Sequence, residues 1–248
     1  MEIFNETPFA ADRCVVIDRD GVDLVVVALK ATYRFTDRSP LELAQEQRPV
    51  QWEDSYSGEP GLSSITYASD FSFDKPGTDV VLVGHAYPVR LGDSHVDIGV
   101  QAGGVRKTAR VFGDRFWARR LGVAVVSEAA AFDKIPLVYE RAFGGVDTSH
   151  EDEKRHEAEV RNPIGVGFRA KKSSMELFDT MLPNIEDPKQ LISGPSDRPQ
   201  PVGFGFVGPN WEPRLGFAGT YDDAWDKNRK PLLPVDFDSR FFCSSSPD

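Results

Sequence analysis

Apolar residues in this chain come in short runs, several of them alternating with polar positions, and Gly, Pro, Asp and Asn break them up. No long 3.6-residue period of an amphipathic helix and no internal repeat is present. The first run, Cys14-Val-Val-Ile-Asp18, leads into the turn signal Asp20-Gly21, and a β-branched stretch from Val22 to Phe35 returns. Residues 14–35 therefore read as a hairpin. Residues 36–62 are polar, with prolines at 40, 49 and 60, and read as a loop or edge strand. A strand is expected at 79–86. A second hairpin follows, in which Val96, Ile98 and Val100 share one face, Gly103-Gly104 makes the turn and 105–112 returns. Further strands are predicted at 123–127 and 137–143. Ser174 is placed to cap a short helix through Met175–Leu182, where Met175, Phe178 and Leu182 keep helical spacing. The pattern predicts a mainly β fold, an antiparallel β-sandwich or open-barrel-like architecture with long loops and one or two short helices. It is expected to form a single β-rich domain over 1–248, with 147–161 as a candidate mobile insert.

That insert centres on the run His150 to Glu159, which holds almost nothing apolar. Its i,i+4 pairs, Glu151/Arg155 and Glu157/Arg161, are each worth only ~0.2–0.5 kcal/mol. Charge elsewhere narrows the partners. Lys and Arg number 29 against 39 Asp and Glu, a formal charge of −10 that repels polyanions. Arg115, Arg119, Arg120 and the Lys171-Lys172 pair are scattered, so direct nucleic-acid binding is not expected. The two cysteines, Cys14 and Cys243, do not make a secreted disulfide framework. The N-terminus shows no signal-peptide pattern, and the longest apolar stretch, Val22 to Leu29, is too short to span a bilayer. A cytoplasmic location without membrane insertion is expected.

Candidate chemistry is sparse. Gly203-Phe-Gly-Phe-Val-Gly208 spells the dinucleotide fingerprint, but prolines at 199, 201, 209 and 213 bar the helix that must follow it. His150 and His156 are six apart, not the spacing of a helical zinc pair. No G-x-S-x-G is present, and neither cysteine carries a sequence cue linking it to a histidine. Asp236-Phe-Asp238 is the best carboxylate pair: in a strand both would share a face, about 6.6 Å apart, with Arg240 beside them. An ion-paired edge is the favoured reading of that trio over a calcium or glycosidase site. Glu140 and Arg141 lie in an apolar run, with Asp114 and Arg115 as natural partners. No catalytic, cofactor or metal site is expected.

Seven segments in order carry a resemblance. They are Gly113-Asp-Arg-Phe-Trp117, Tyr139-Glu-Arg-Ala-Phe-Gly-Gly145, Asn162-Pro-Ile-Gly-Val-Gly-Phe168, Leu182-Pro-Asn-Ile-Glu186, Pro209-Asn-Trp-Glu-Pro-Arg214, Gly219-Thr-Tyr-Asp222 and Leu233-Pro-Val-Asp-Phe-Asp238. Together they resemble a bacterial domain-of-unknown-function family whose members act as adaptor chaperones for type VI secretion effectors. The resemblance implies a non-enzymatic role, with no cofactor. Its partners would be a secreted toxic effector and the spike, either a valine-glycine repeat protein or its PAAR-type tip. Candidate contact residues are Trp211, Arg214, Tyr221 and Trp225. The family pattern normally runs past a proline–aspartate step into a further β-rich tail, whereas this sequence stops at Ser246-Pro247-Asp248. The competing expectation is a carbohydrate-binding module or glycoside-active enzyme. Trp117, Trp211, Tyr221 and Trp225 would stack on sugar, and Asp222, Asp223, Asp236 and Asp238 would supply acids.

Overall fold

The computed structural model describes residues 2–37, 41–170, 174–212 and 214–245. Lys171, Lys172, Pro213 and the Ser246–Asp248 end lie outside the described residues, as does the side chain of the expected helix cap Ser174. The chain is mainly β, built from two- and three-stranded ladders, most of them antiparallel, with no closed barrel among the described residues. Within the span read from sequence as one domain, contacts gather into two compact units. The smaller comprises Met1–Ser55, Tyr67–Thr78 and Gly216–Cys243, and the larger Tyr56–Thr66, Asp79–Leu215 and Ser244–Asp248.

In the smaller unit the expected N-terminal hairpin is present as Ala10–Ile17 paired antiparallel with Asp23–Lys30. The strand stops at Lys30, and Tyr33–Arg34 then forms its own ladder with Glu42–Leu43. Rings fill the C-terminal part: Phe237, Phe241 and Phe242 contact one another, and Phe73 meets Phe242 edge-on at 5.0 Å. A helix that the pattern did not predict, Asp223–Asn228, starts where the Asp222 carboxylate accepts from the Trp225 amide at 2.8 Å.

The larger unit is organised on the central hairpin, His95–Ala102 with Val105–Phe112. Val96 lies opposite Val111 and Ile98 opposite Ala109, so one face joins the core while Asp97 and Arg110 form an ion pair on the other. Ile185–Glu186 adds a third strand to this ladder. A second hairpin, Trp117–Arg120 with Val123–Val126, roots Trp117 and Ala124 in a separate apolar cluster with Phe143 and Leu182.

Two expected strands fare differently. Of 79–86 only His85–Ala86 pairs, with Ile135–Pro136. The run 137–143 contains a 3-10 turn at Tyr139–Arg141 instead of a continuous strand. The reason is tertiary. The Asn162 amide donates to the Tyr139 and Phe143 carbonyls at 2.9 and 3.0 Å. Glu140 is drawn to Ser64, accepting its N–H at 2.8 Å and its hydroxyl at 2.5 Å. These bonds satisfy polar groups that a ladder would otherwise have to pair. Phe143–Gly144 then runs parallel to Val166–Gly167, which brings two of the family-like motifs together.

The glycines of Gly203–Gly208 serve packing rather than phosphate. A Cβ on Gly203 would lie 2.5 Å from the Tyr139 ring, and one on Gly208 would lie 2.8 Å from the Trp211 indole. Among the described residues no helix starts directly after them. Residues 147–161 carry a 3-10 turn at Glu153–Arg155, capped by Asp152, and a short ladder of Val146–Asp147 with Glu157–Ala158. Arg161 bonds Glu159 at 2.6 Å, not the expected Glu157.

Candidate interaction surface

The N-terminal hairpin is held by its own loop. The Asp18 carboxylate accepts from the amides of Asp20 and Val22, both at 2.8 Å, and Gly21 supplies a φ of 87° that a side chain would resist. Its register sets Val15 against Val25 and Arg13 against Val27. Cys14, Val16, Leu24 and Val26 turn half-buried to one side with buried Ala28. On the opposite face Val15, Ile17, Val25, Val27 and Leu29 are 48–65% exposed. A strand with one solvated face normally alternates apolar and polar; Leu24–Leu29 is apolar throughout, the composition of a strand covered on both faces. No third strand extends this ladder among the described residues, and its outer apolar face is exposed.

Of the four candidate contact residues, Trp211 and Arg214 belong to the larger unit and Tyr221 and Trp225 to the smaller. Trp211 is 2% exposed and packs edge-on against Tyr139 in the larger unit's core, so its ring offers no surface. Arg214 is half-buried and donates to the Val207 carbonyl at 2.6 Å. In the smaller unit Tyr221 is exposed and stacks edge-on against Trp225, whose indole N–H is given to the Leu232 carbonyl. Of the four, Tyr221 presents the most open ring. The sequence signal for the hairpin face is the unbroken apolar run Leu24–Leu29, which by itself does not say whether both faces are covered.

The carboxylate pair is not in a strand. Asp238 caps the 3-10 turn Ser239–Phe242 and holds Arg240 through both oxygens, as the ion-paired reading expects. The Arg240 hydrogen bonds bring its pKa down to about 2. Asp236 accepts from the Thr220 amide and hydroxyl at 3.0 and 2.7 Å, and the Thr220 amide does most to lower its pKa. A glycosidase acid needs a carboxyl kept protonated, and both of these are pushed the other way. Titration by carbon NMR is expected to show the Asp238 midpoint near pH 2, rising toward the ordinary carboxylate range in Arg240→Ala. Because the folded pKa is depressed, the turn's stabilisation is present above the ordinary range and is lost as pH falls toward that midpoint.

Arg141 reaches Asn184 at 3.1 Å and the expected Asp114 at 3.5 Å, while Arg115 pairs with Glu186 rather than Glu140. Burial pushes the Glu186 carboxyl up, against the opposing pull of Arg115. Among the described residues no group of three or more His, Cys, Asp or Glu is arranged to hold a metal ion, and no helix is long and apolar enough to cross a membrane.

Fold and surface thus define a mainly β protein with a hairpin whose outer apolar face is exposed. Residues 20–248 match the model of a family described as uncharacterized proteins conserved in bacteria (DUF2169), and the chain belongs to that family. Nothing among curated proteins or solved structures matches it.

Proposed function

We propose that this protein is a non-enzymatic adaptor chaperone. It binds a type VI secretion effector in the bacterial cytoplasm, keeps it soluble and promotes its loading onto the spike, either the valine-glycine repeat protein or a PAAR-type tip. The observation that carries the reading is the hairpin Ala10–Lys30, whose outer valines, Ile17 and Leu29 lie in water although their pattern belongs to a covered strand. An extended effector segment added to either edge would gain main-chain hydrogen bonds, and its side chains would cover that face. The ordered motifs that resemble the adaptor family point the same way.

Co-expression of the full chain with the effector encoded beside its gene tests this. The complex is expected to co-purify, and effector solubility to fall when the chain is omitted. Val25→Lys/Val27→Lys is expected to weaken binding about 30-fold or more, the size of a hot-spot loss. Its Tm should hardly move, since both side chains are already in solvent. A wild-type chain that neither retains nor solubilises the effector would refute the adaptor role.

A further inference from the structure

The hairpin Trp117–Arg120/Val123–Val126 turns through Leu121 and Gly122, both at positive φ, 50° and 84°. Two successive positive values are the pattern of a type I′ turn, whose first position favours Asn, Asp or Gly. Leucine is a poor choice there, because its Cβ crowds the following carbonyl oxygen. It is also 99% exposed, so no packing within the chain offsets that crowding. Folding therefore gives no reason for leucine at this tip. Exposed Arg119 and Arg120 lie beside it, a local basic spot on a chain of net charge −10. Arg119 is steadied by the Phe178 ring, 5.4 Å from its guanidinium carbon. The arms are rigidly rooted, with Trp117 4% and Ala124 7% exposed in the second apolar cluster.

We infer that this tip is a plug: Leu121 enters an apolar socket on the bound effector, and Arg119 and Arg120 meet carboxylates on the socket's rim. A preformed knob loses little conformational freedom on docking, and opposite rim charges orient it. An anionic bilayer is the poorer fit, since one leucine inserts little apolar area and the overall negative charge opposes approach.

The inference rests on the adaptor reading, with the full chain and its co-expressed neighbouring effector as the probe. Leu121→Asn is expected to weaken effector binding at least tenfold while raising Tm by about 2–4 °C, because asparagine suits the turn. Arg120→Glu should weaken binding and reduce its salt dependence. If the wild-type complex forms and Leu121→Asn leaves its Kd unchanged, the plug is refuted and the adaptor reading stands. If no wild-type complex forms, both fall. A lower Tm in Leu121→Asn would show that leucine serves the fold and would overturn the inference. So would wild-type binding to phosphatidylglycerol vesicles that the variant lacks, because the tip would then be a membrane element.

Discussion

Glu186→Ala is expected to destabilise the larger unit by about 3–5 kcal/mol, the cost of leaving a buried charge without its partner. Arg115 is 4% and Glu186 2% exposed. The guanidinium donates to the Glu186 carboxylate and, at 2.8 Å, to the Pro183 carbonyl, and it lies over the Phe112 ring at 3.7 Å. The second carboxylate oxygen accepts the Ile192 amide at 2.9 Å. Alanine strands both the cation and that amide. Urea denaturation followed by tryptophan fluorescence would measure the loss. In the double variant Arg115→Met/Glu186→Leu a large part of it should be recovered, since no buried charge is left stranded and only the Ile192 amide and the Pro183 carbonyl lose their partners. Equal losses in the single and double variants would mean that the pair is not what holds this site.

The same residue carries a pH signature. Burial holds the folded pKa of Glu186 above the ordinary carboxylate value. The unfolded chain therefore binds fewer protons in that window, so stability falls as pH rises from the ordinary value through the folded pKa. Glu186→Gln should flatten this slope.

Gly144→Ala is expected to cost more than about 3 kcal/mol, or to prevent folding of the larger unit, because overpacking and an unfavourable φ act together. Gly144 sits at φ 149°, and an added Cβ would lie 2.1 Å from the Asn162 carbonyl oxygen, a backbone atom. That carbonyl accepts the Gly145 amide at 2.8 Å, and the Phe168 amide is given to the Gly144 carbonyl at 2.9 Å. A shift large enough to admit the methyl would break the crossing of both motifs. Gly205→Ala, with nothing within 4 Å of its Cβ, should be nearly neutral and controls for the loss of glycine itself. The yield of folded protein and the urea midpoint are the readouts. Equal behaviour of the two variants would mean that the crossing is not as tight as described.

Both sites lie inside the motifs that carry the family resemblance, and both hold structure together. Tyr139–Gly145 and Asn162–Phe168 pair with each other, while Leu182–Glu186 extends the central ladder and closes the buried ion pair. The apolar hairpin and the leucine tip, by contrast, lie outside those segments.

The periodic pattern was enough for the mainly β class and for three hairpins or parts of them: Ala10–Lys30, His95–Phe112 and the strand Val123–Val126. These are local pairings across short turns, where alternation and turn chemistry act on neighbouring residues. Other features needed the folded chain. The run 137–143 became a turn because Asn162 and Ser64 supply hydrogen bonds from remote positions. Val80–Val83 stayed without a ladder although its composition suits one. Trp211 moved from candidate contact to core, since an aromatic in a proline-rich stretch looks the same whether it faces a partner or Tyr139. The sequence determined which residues are apolar and which can turn. Only the tertiary structure decided which apolar faces are covered, because covering depends on segments far apart in the chain meeting across one surface.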